Sequence, residues 1–166
     1  MASLSTYKTN SGGTSTQTGD VIQITTNSYI NNSAHVRPTG TSLTSTGATV
    51  TITPTKAGNT LVIECTLEMS YGYASHPLVL ALYRSGTGVT DGYVVNVNQS
   101  YPNWYGWCYI AGDDWGSNHT MWRDTTHNTT DELTYTLYHR RMSGSTNSYT
   151  RHHGHPIHFQ ITEIET

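Results

Sequence analysis

The chain alternates apolar and polar residues in short runs separated by turn residues. In the run from 60 to 70 every second residue is apolar, namely Leu61, Ile63, Cys65, Leu67 and Met69. The residues between them, Val62, Glu64, Thr66 and Glu68, belong to the opposite face. A period of two is that of a β-strand with one buried side. The run at 48–53 alternates in the same way, and residues 54–59 supply the turn between the two strands.

The same pattern recurs along the chain and predicts eight or nine strands. Further strands are expected at 21–24, 77–84, 92–98, 133–141 and 157–164, with an aromatic stretch at 101–122 and a hairpin loop at 143–146. No segment has the periodicity of a helix. These features predict an all-β protein, an antiparallel β-sandwich of jelly-roll type. The run at 78–83 is apolar on both faces, which predicts burial by the opposing sheet on one side and by another subunit on the other.

The first nineteen residues differ from the rest of the chain. Residues 1–19 form a polar stretch rich in serine, threonine and glycine without periodicity, and the sandwich domain is expected at 20–166. Such a segment predicts a short extended N-terminal arm, which we expect to attach to neighbouring chains. Its candidate attachment residues are Leu4, Tyr7 and Lys8.

Composition narrows the class of partner. Charged residues make up 11% of the chain and the net charge is -3 without a basic run, so the sequence indicates no nucleic-acid partner. No apolar run reaches the length of a membrane span and the first residues lack a signal-peptide core, so we expect a soluble chain made in a cytosol. Cys65 and Cys108 are therefore expected to be reduced core residues and not a disulfide.

All four tryptophans lie in one segment, between residues 104 and 122. Aromatic rings beside carboxylates are typical of sugar recognition, because the rings stack on C–H faces and the carboxylates bond to hydroxyls. Alternatively, the same rings fill a core that has a single phenylalanine, or pack at a subunit interface. The candidate receptor-contact residues are Trp104, Tyr105, Trp107, Tyr109, Asp113, Asp114, Trp115 and Trp122.

Histidine is concentrated near the C-terminus. Four of the nine histidines are His152, His153, His155 and His158. Across a threefold axis they could form a metal site, whereas the absence of acidic or cysteine partners at ligand spacing favours an exposed polar strand. The sequence therefore predicts no bound metal and no cofactor.

The common catalytic motifs are missing. The chain contains no Gly-x-Ser-x-Gly elbow, no phosphate-binding loop and no His-Glu-x-x-His pair. Asp113 and Asp114 are adjacent, and adjacent residues of a strand point to opposite faces, so they are not placed to flank one glycosidic bond. We therefore expect a protein that is not an enzyme.

Several segments together resemble a known family. The runs ATVTITPTKAGNTLVI at 48–63 and LALYRSGT at 80–87, with residues 21–23, 133–138 and 159–164 in the same order, are similar to the C-terminal domains of bacteriophage tail-fibre proteins of marine and cyanobacterial phages. The resemblance spans about residues 20 to 166. It implies a virion component, often trimeric, with a jelly-roll-like domain displayed on the particle surface after synthesis in the host cytoplasm.

Three functions remain open from the sequence. The first is a homotrimeric tail-fibre or receptor-binding protein, whose arm joins the tail and whose aromatic segment contacts a host-surface glycan. The second is a capsid decoration or head-fibre protein that stabilises the shell at a threefold site. The third is a monomeric carbohydrate-binding or hydrolytic module. The expected partners are further copies of the chain, other virion proteins and a glycan, without membrane insertion.

Overall fold

The computed structural model describes residues 6–7, 19–29, 35–36, 38, 40–71, 78–94, 107–108, 115–141, 148–149, 151–152 and 155–166. Every regular element within these ranges is a β-strand. The strands are β1 (Thr6–Tyr7), β2 (Val21–Tyr29), β3 (His35–Val36), β4 (Thr44–Ile52), β5 (Thr60–Tyr71), β6 (Leu78–Gly86), β7 (Gly92–Val94), β8 (Trp107–Cys108), β9 (Trp115–Asp124), β10 (Leu133–Arg141), β11 (Ser148–Tyr149), β12 (Arg151–His152) and β13 (Ile157–Ile164). The described part of the chain has no helix of a length and apolarity suited to crossing a membrane.

Eight of these strands form two packed antiparallel sheets. The first sheet has the order β2-β13-β5-β9, and the second has the order β4-β10-β6-β7. Apart from the β6–β7 hairpin, which stays in the second sheet, successive main strands cross from one sheet to the other, and the first and last of them, β2 and β13, are neighbours. This is the connectivity of a jelly roll, and it confirms the predicted fold class. The short strands β1 and β11 extend the first sheet, β8 pairs with β6, and β3 pairs with β12.

The core lies between the two sheets and follows the predicted alternation. On β5 the side chains of Leu61, Ile63, Cys65 and Leu67 are buried, whereas Glu64 and the other even-numbered residues from 62 to 66 are partly exposed. Burial of a leucine or isoleucine side chain stabilises a fold by about 1.5–3 kcal/mol, which fixes the register of the strand. The largest fully buried side chains are Trp122, Tyr135, Leu61, Ile63, Leu67, Leu80, Leu82, Leu133 and Leu137.

Strand β6 is buried on both faces, as predicted. Leu80 and Leu82 point into the core between the sheets. Val79 and Ala81 face the other way and are nevertheless only 2% and 0% exposed in the single chain. The apolar pattern of this strand is therefore satisfied within one chain, and it does not require the second subunit that the sequence suggested.

The predicted arm falls mostly outside the described residues, Leu4 and Lys8 included. Apart from Gly19, its described part is Thr6–Tyr7, which pairs antiparallel with β2, with Thr6 opposite Thr25 and Tyr7 opposite Ile24. These two residues therefore add an edge strand to the first sheet of their own domain. The attachment of the arm to neighbouring chains stays a prediction.

A buried carboxylate joins the turn between β4 and β5 to the last strand. Glu163 is 0% exposed. Its Oε1 accepts hydrogen bonds from the Thr55 amide at 2.9 Å, the Thr55 hydroxyl at 2.9 Å and Asn59 Nδ2 at 2.8 Å. Its Oε2 accepts from Gln23 Nε2 at 2.6 Å. Because β4 belongs to the second sheet, these bonds hold the two sheets together at one end of the sandwich.

A second buried cluster connects the sheets through Asp124 at the end of β9. Its carboxylate accepts hydrogen bonds from Arg84 Nη1 at 2.8 Å and from the Tyr135 hydroxyl at 2.8 Å. Burial alone would raise the pKa of Asp124, but the bonds from the Thr126 backbone, Tyr135 and Arg84 outweigh it and lower that pKa below its ordinary value. Burial and the neighbouring Asp124 charge raise the pKa of Tyr135, which therefore remains a donor.

Candidate ligand-binding groove

The structure describes some of the predicted receptor-contact residues and not others. Trp104, Tyr105, Tyr109, Asp113 and Asp114 lie outside the described residues. The backbones of Trp107 and Trp115 belong to β8 and to the first position of β9.

The assignment of Trp122 to a receptor contact is wrong. Its side chain is 0% exposed and belongs to the hydrophobic core. The cause is its register, because Trp122 is opposite Ile63, a residue that points between the sheets. For this ring, burial in the core is the correct alternative.

The four histidines near the C-terminus are described only in part. His152 is part of β12, where it pairs with His35, whereas His158 is exposed on β13. His153 lies outside the described residues. Within the ranges that the structure describes, no group of three or more histidine, cysteine, aspartate or glutamate side chains is placed to hold a metal ion.

An open groove of about 490 Å³ lies on the outer face of the first sheet. One row of its lining crosses all four main strands in register, in the order Ser28, His158, Thr66 and His119. Three strand spacings of about 4.8 Å give this row a length of about 14 Å. Hydroxyl and imidazole side chains alternate along it, with Ser28 Oγ at 2.8 Å from His158 Nδ1 and Thr66 Oγ1 at 3.0 Å from His119 Nδ1.

A second row lies two residues further along each strand and centres on Glu64. In register the row is Thr26, Gln160, Glu64 and Met121, of which the first three line the groove. Glu64 Oε2 accepts a hydrogen bond from Gln160 Nε2 at 3.1 Å, and Glu64 Oε1 is 3.3 Å from His119 Nε2. The side chain of Glu64 is 30% exposed, so its carboxylate is held in place and still reaches solvent. Asn27 and Phe159 complete the lining of the groove.

The hydrogen-bond partners fix the direction of donation when His119 is neutral. An ionised carboxylate only accepts, so the neutral tautomer that suits Glu64 Oε1, 3.3 Å away, has its N–H at Nε2. Its Nδ1 is then an acceptor, and the Thr66 hydroxyl donates to it. The bond from Gln160 and the contact with His119 together orient the Glu64 carboxylate within the groove.

These three groups have the composition of a hydrolase triad, but the β5 amides beside them are not placed to serve acyl transfer. A hydroxyl, an imidazole and a carboxylate follow one another in Thr66, His119 and Glu64. Acyl transfer also needs N–H donors directed at an oxyanion. The amides of β5 form ladders with β13 on one side and β9 on the other, which leaves them no role as oxyanion donors.

Sequence reasoning identified the outward face of β5 but not the groove itself. Glu64 and Thr66 were correctly placed on the polar side of their strand. Their neighbours His158 and His119 are more than fifty residues away along the chain and meet them only through the order of the strands. His158 was noticed only as part of a local cluster, because histidine density is visible in a sequence and cross-strand register is not.

Comparisons with known proteins add little to this geometry. No family model and no curated protein sequence matches the chain. Among solved structures the chain is similar to the CBM22-1 xylan-binding domain from Paenibacillus barcinonensis Xyn10C, with 13% identity and a TM-score of 0.31, over 92% of this chain and 99% of that domain. A likeness at this level carries no argument about function, which has to be argued from the groove.

Proposed function

We propose that this protein is a non-enzymatic receptor-binding protein of a virion surface, and that it contacts a host-surface saccharide through the groove on its first sheet. The observation that carries the proposal is the groove lining. Seven polar side chains of its two rows, from four strands, include hydroxyl, imidazole, amide and carboxylate groups, and they lie on one open face. Polar groups of this kind fix the orientation of a polyhydroxyl ligand.

Two further observations support a virion role. The jelly-roll connectivity is shared by viral capsid domains and lectins, so the fold is compatible with display and with sugar recognition. The sequence segments that resemble tail-fibre C-terminal domains correspond to β2, β4 to β6, β10 and β13, which are the frame of the sandwich. We propose a homotrimer by the same resemblance, since the buried outer face of β6 no longer argues for one.

Adsorption of virus particles to host cells tests the receptor-binding part of the proposal. Replacing His158 and Gln160 by alanine should leave a folded protein that enters particles, while the particles lose adsorption. Thr134→Ala with Thr136→Ala is the matched control, because these residues occupy outward positions on the central strand β10 of the other sheet. Normal adsorption of the His158 and Gln160 variant would refute the proposed role of the groove.

Oligomeric state and incorporation test the virion part separately. Light scattering of the purified chain should give a trimer, and deletion of residues 1–18 should leave a folded domain that no longer joins particles, because the main strands remain. A monomer with the arm intact would contradict the proposed assembly. Particles that adsorb normally but lose heat resistance without the protein would indicate a capsid decoration protein instead.

The groove also favours a second candidate function, a carbohydrate-binding module that acts outside any virion. The same lining serves both functions, so affinity for a saccharide does not separate them. Copurification with particles does, because a free module would bind sugar and be absent from them.

A further inference from the structure

We infer that the groove selects a neutral saccharide with neighbouring hydroxyl groups, and that Glu64 is the residue that determines this selectivity. The inference rests on the proposed function and gives the ligand class of its site. It follows from the hydrogen-bonding capacity of the lining and from its charge.

The free hydrogen-bonding capacity around Glu64 consists mainly of acceptors. An ionised carboxylate offers about four lone-pair positions. One bond from Gln160 and one contact with His119 occupy a position on each oxygen of Glu64. Each oxygen therefore retains capacity for a further donor, and two adjacent hydroxyl groups of a sugar can supply both donors at once. Bonds to a charged acceptor are the stronger class, so this pair would dominate selectivity.

The hydroxyls of the first row extend the same preference. When His119 is neutral, Thr66 donates its proton to Nδ1 of that ring, so the lone pairs of Thr66 Oγ1 remain to accept from a ligand. A ligand that satisfies this surface must bring donors, as a neutral polyol does.

The charge of the groove disfavours acidic sugars. Of the described residues that line it, Glu64 is the one carboxylate, and no lysine or arginine is among them. The carboxylate of a uronate, or a sulfate group, placed beside Glu64 would meet a like charge and would have no proton to donate to it, so such a group is disfavoured there. Beside the lining, Met121 on β9 is opposite Glu64 and 46% exposed, so its apolar side chain is placed to meet the C–H face of a sugar ring that extends past the groove.

Calorimetric titration of the full chain tests the inference with defined probes. The probes are oligosaccharides of neutral hexoses and pentoses, the corresponding uronate oligosaccharides, and glucosamine oligosaccharides. Wild type should bind a neutral probe at least tenfold more tightly than the matched uronate. Glu64→Gln keeps the size of the side chain, and its affinity for the neutral probe should fall by about tenfold or more. The same variant should also reduce the ratio of its affinities for the neutral and the uronate probes, which a merely structural change would not do.

Glu132→Gln is the matched control, because Glu132 is an exposed carboxylate outside the groove and its loss changes the net charge equally. Circular dichroism verifies that both variants fold, and Glu64→Asp provides a second variant that keeps the charge and moves it. If neutral sugars bind but Glu64→Gln binds them like wild type, or if uronate or glucosamine probes bind best, the ligand class is wrong while the groove still binds saccharides. If no saccharide binds wild type, the proposed function fails together with the inference.

Discussion

Glu163 provides a direct test of how the two sheets are joined. Its buried carboxylate accepts hydrogen bonds from Thr55, Asn59 and Gln23, which belong to the turn after β4 and to β2. Glu163→Gln keeps the shape of the side chain but replaces one oxygen by an NH₂ group that faces these donors. Glu163→Ala removes every acceptor and leaves the donors buried.

The expected losses follow from the energetics of hydrogen bonds to charged groups. Such bonds contribute about 1.5–3 kcal/mol each, and unsatisfied buried donors cost about 1–3 kcal/mol. Because neighbouring groups relax, we expect Glu163→Gln to reduce the free energy of unfolding by about 2 kcal/mol and Glu163→Ala by about 3–5 kcal/mol. For a chain of this length, about 2 kcal/mol lowers the melting temperature by about 4–8 °C.

Urea denaturation followed by circular dichroism measures both variants at pH 7. Glu165→Gln is the matched control two residues away. Glu165 pairs with Lys56 at 2.6 Å, but the Lys56 side chain is 55% exposed, so the loss should stay below about 1 kcal/mol. If Glu163→Gln costs no more than Glu165→Gln, the buried carboxylate does not hold the turn to the last strand and the reasoning is refuted.

Three further predictions concern the core and its pH dependence. Burial lowers the pKa of His139 to about 4, so between about pH 6.5 and pH 4 this histidine is protonated in the unfolded chain but not in the folded chain. The free energy of unfolding should therefore be highest above pH 6.5 and fall by up to about 3 kcal/mol toward pH 4. Urea denaturation at a series of pH values should show a smaller fall for His139→Leu than for wild type. Leu67→Asp should prevent soluble expression, whereas Thr66→Asp should fold; equal yields would mean that the register of β5 is wrong. Tyr135→Phe should cost about 1–2 kcal/mol by losing its bond to Asp124, and an unchanged melting temperature would contradict this.

The strands could be predicted from the sequence because their signal is local. The predicted runs at 133–141 and 157–164 coincide with β10 and β13. In both strands the opposing sheet buries every second residue, so apolar and polar residues alternate along the sequence and reveal the strand. The prediction at 92–98 is confirmed only for Gly92–Val94, since the following residues lie outside the described ranges.

The role of tryptophan could not be predicted from the sequence because it depends on register. A tryptophan in a sequence is compatible with burial in a core and with contact to a ligand. Its role depends on which residue of the partner strand lies opposite it, and the sequence does not show this. Trp122 is opposite Ile63 and is buried, whereas its neighbour Met121 is opposite Glu64 and is 46% exposed. A shift of β9 by one residue would exchange the two side chains and remove the ring from the core.

The groove depends on the whole chain for the same reason. Jelly-roll connectivity makes β2 and β13 neighbours, and β13 carries Glu163 on its inner face and His158 and Gln160 on its outer face. The bonds that anchor the end of β13 between the sheets therefore also support a strand that supplies two residues of the groove, His158 and Gln160. Loss of Glu163 should weaken ligand binding only in proportion to unfolding, whereas loss of Glu64 should weaken binding in a fully folded protein. Substitution of Glu163 therefore tests the stability of the sandwich, and substitution of Glu64 tests ligand recognition by its outer face.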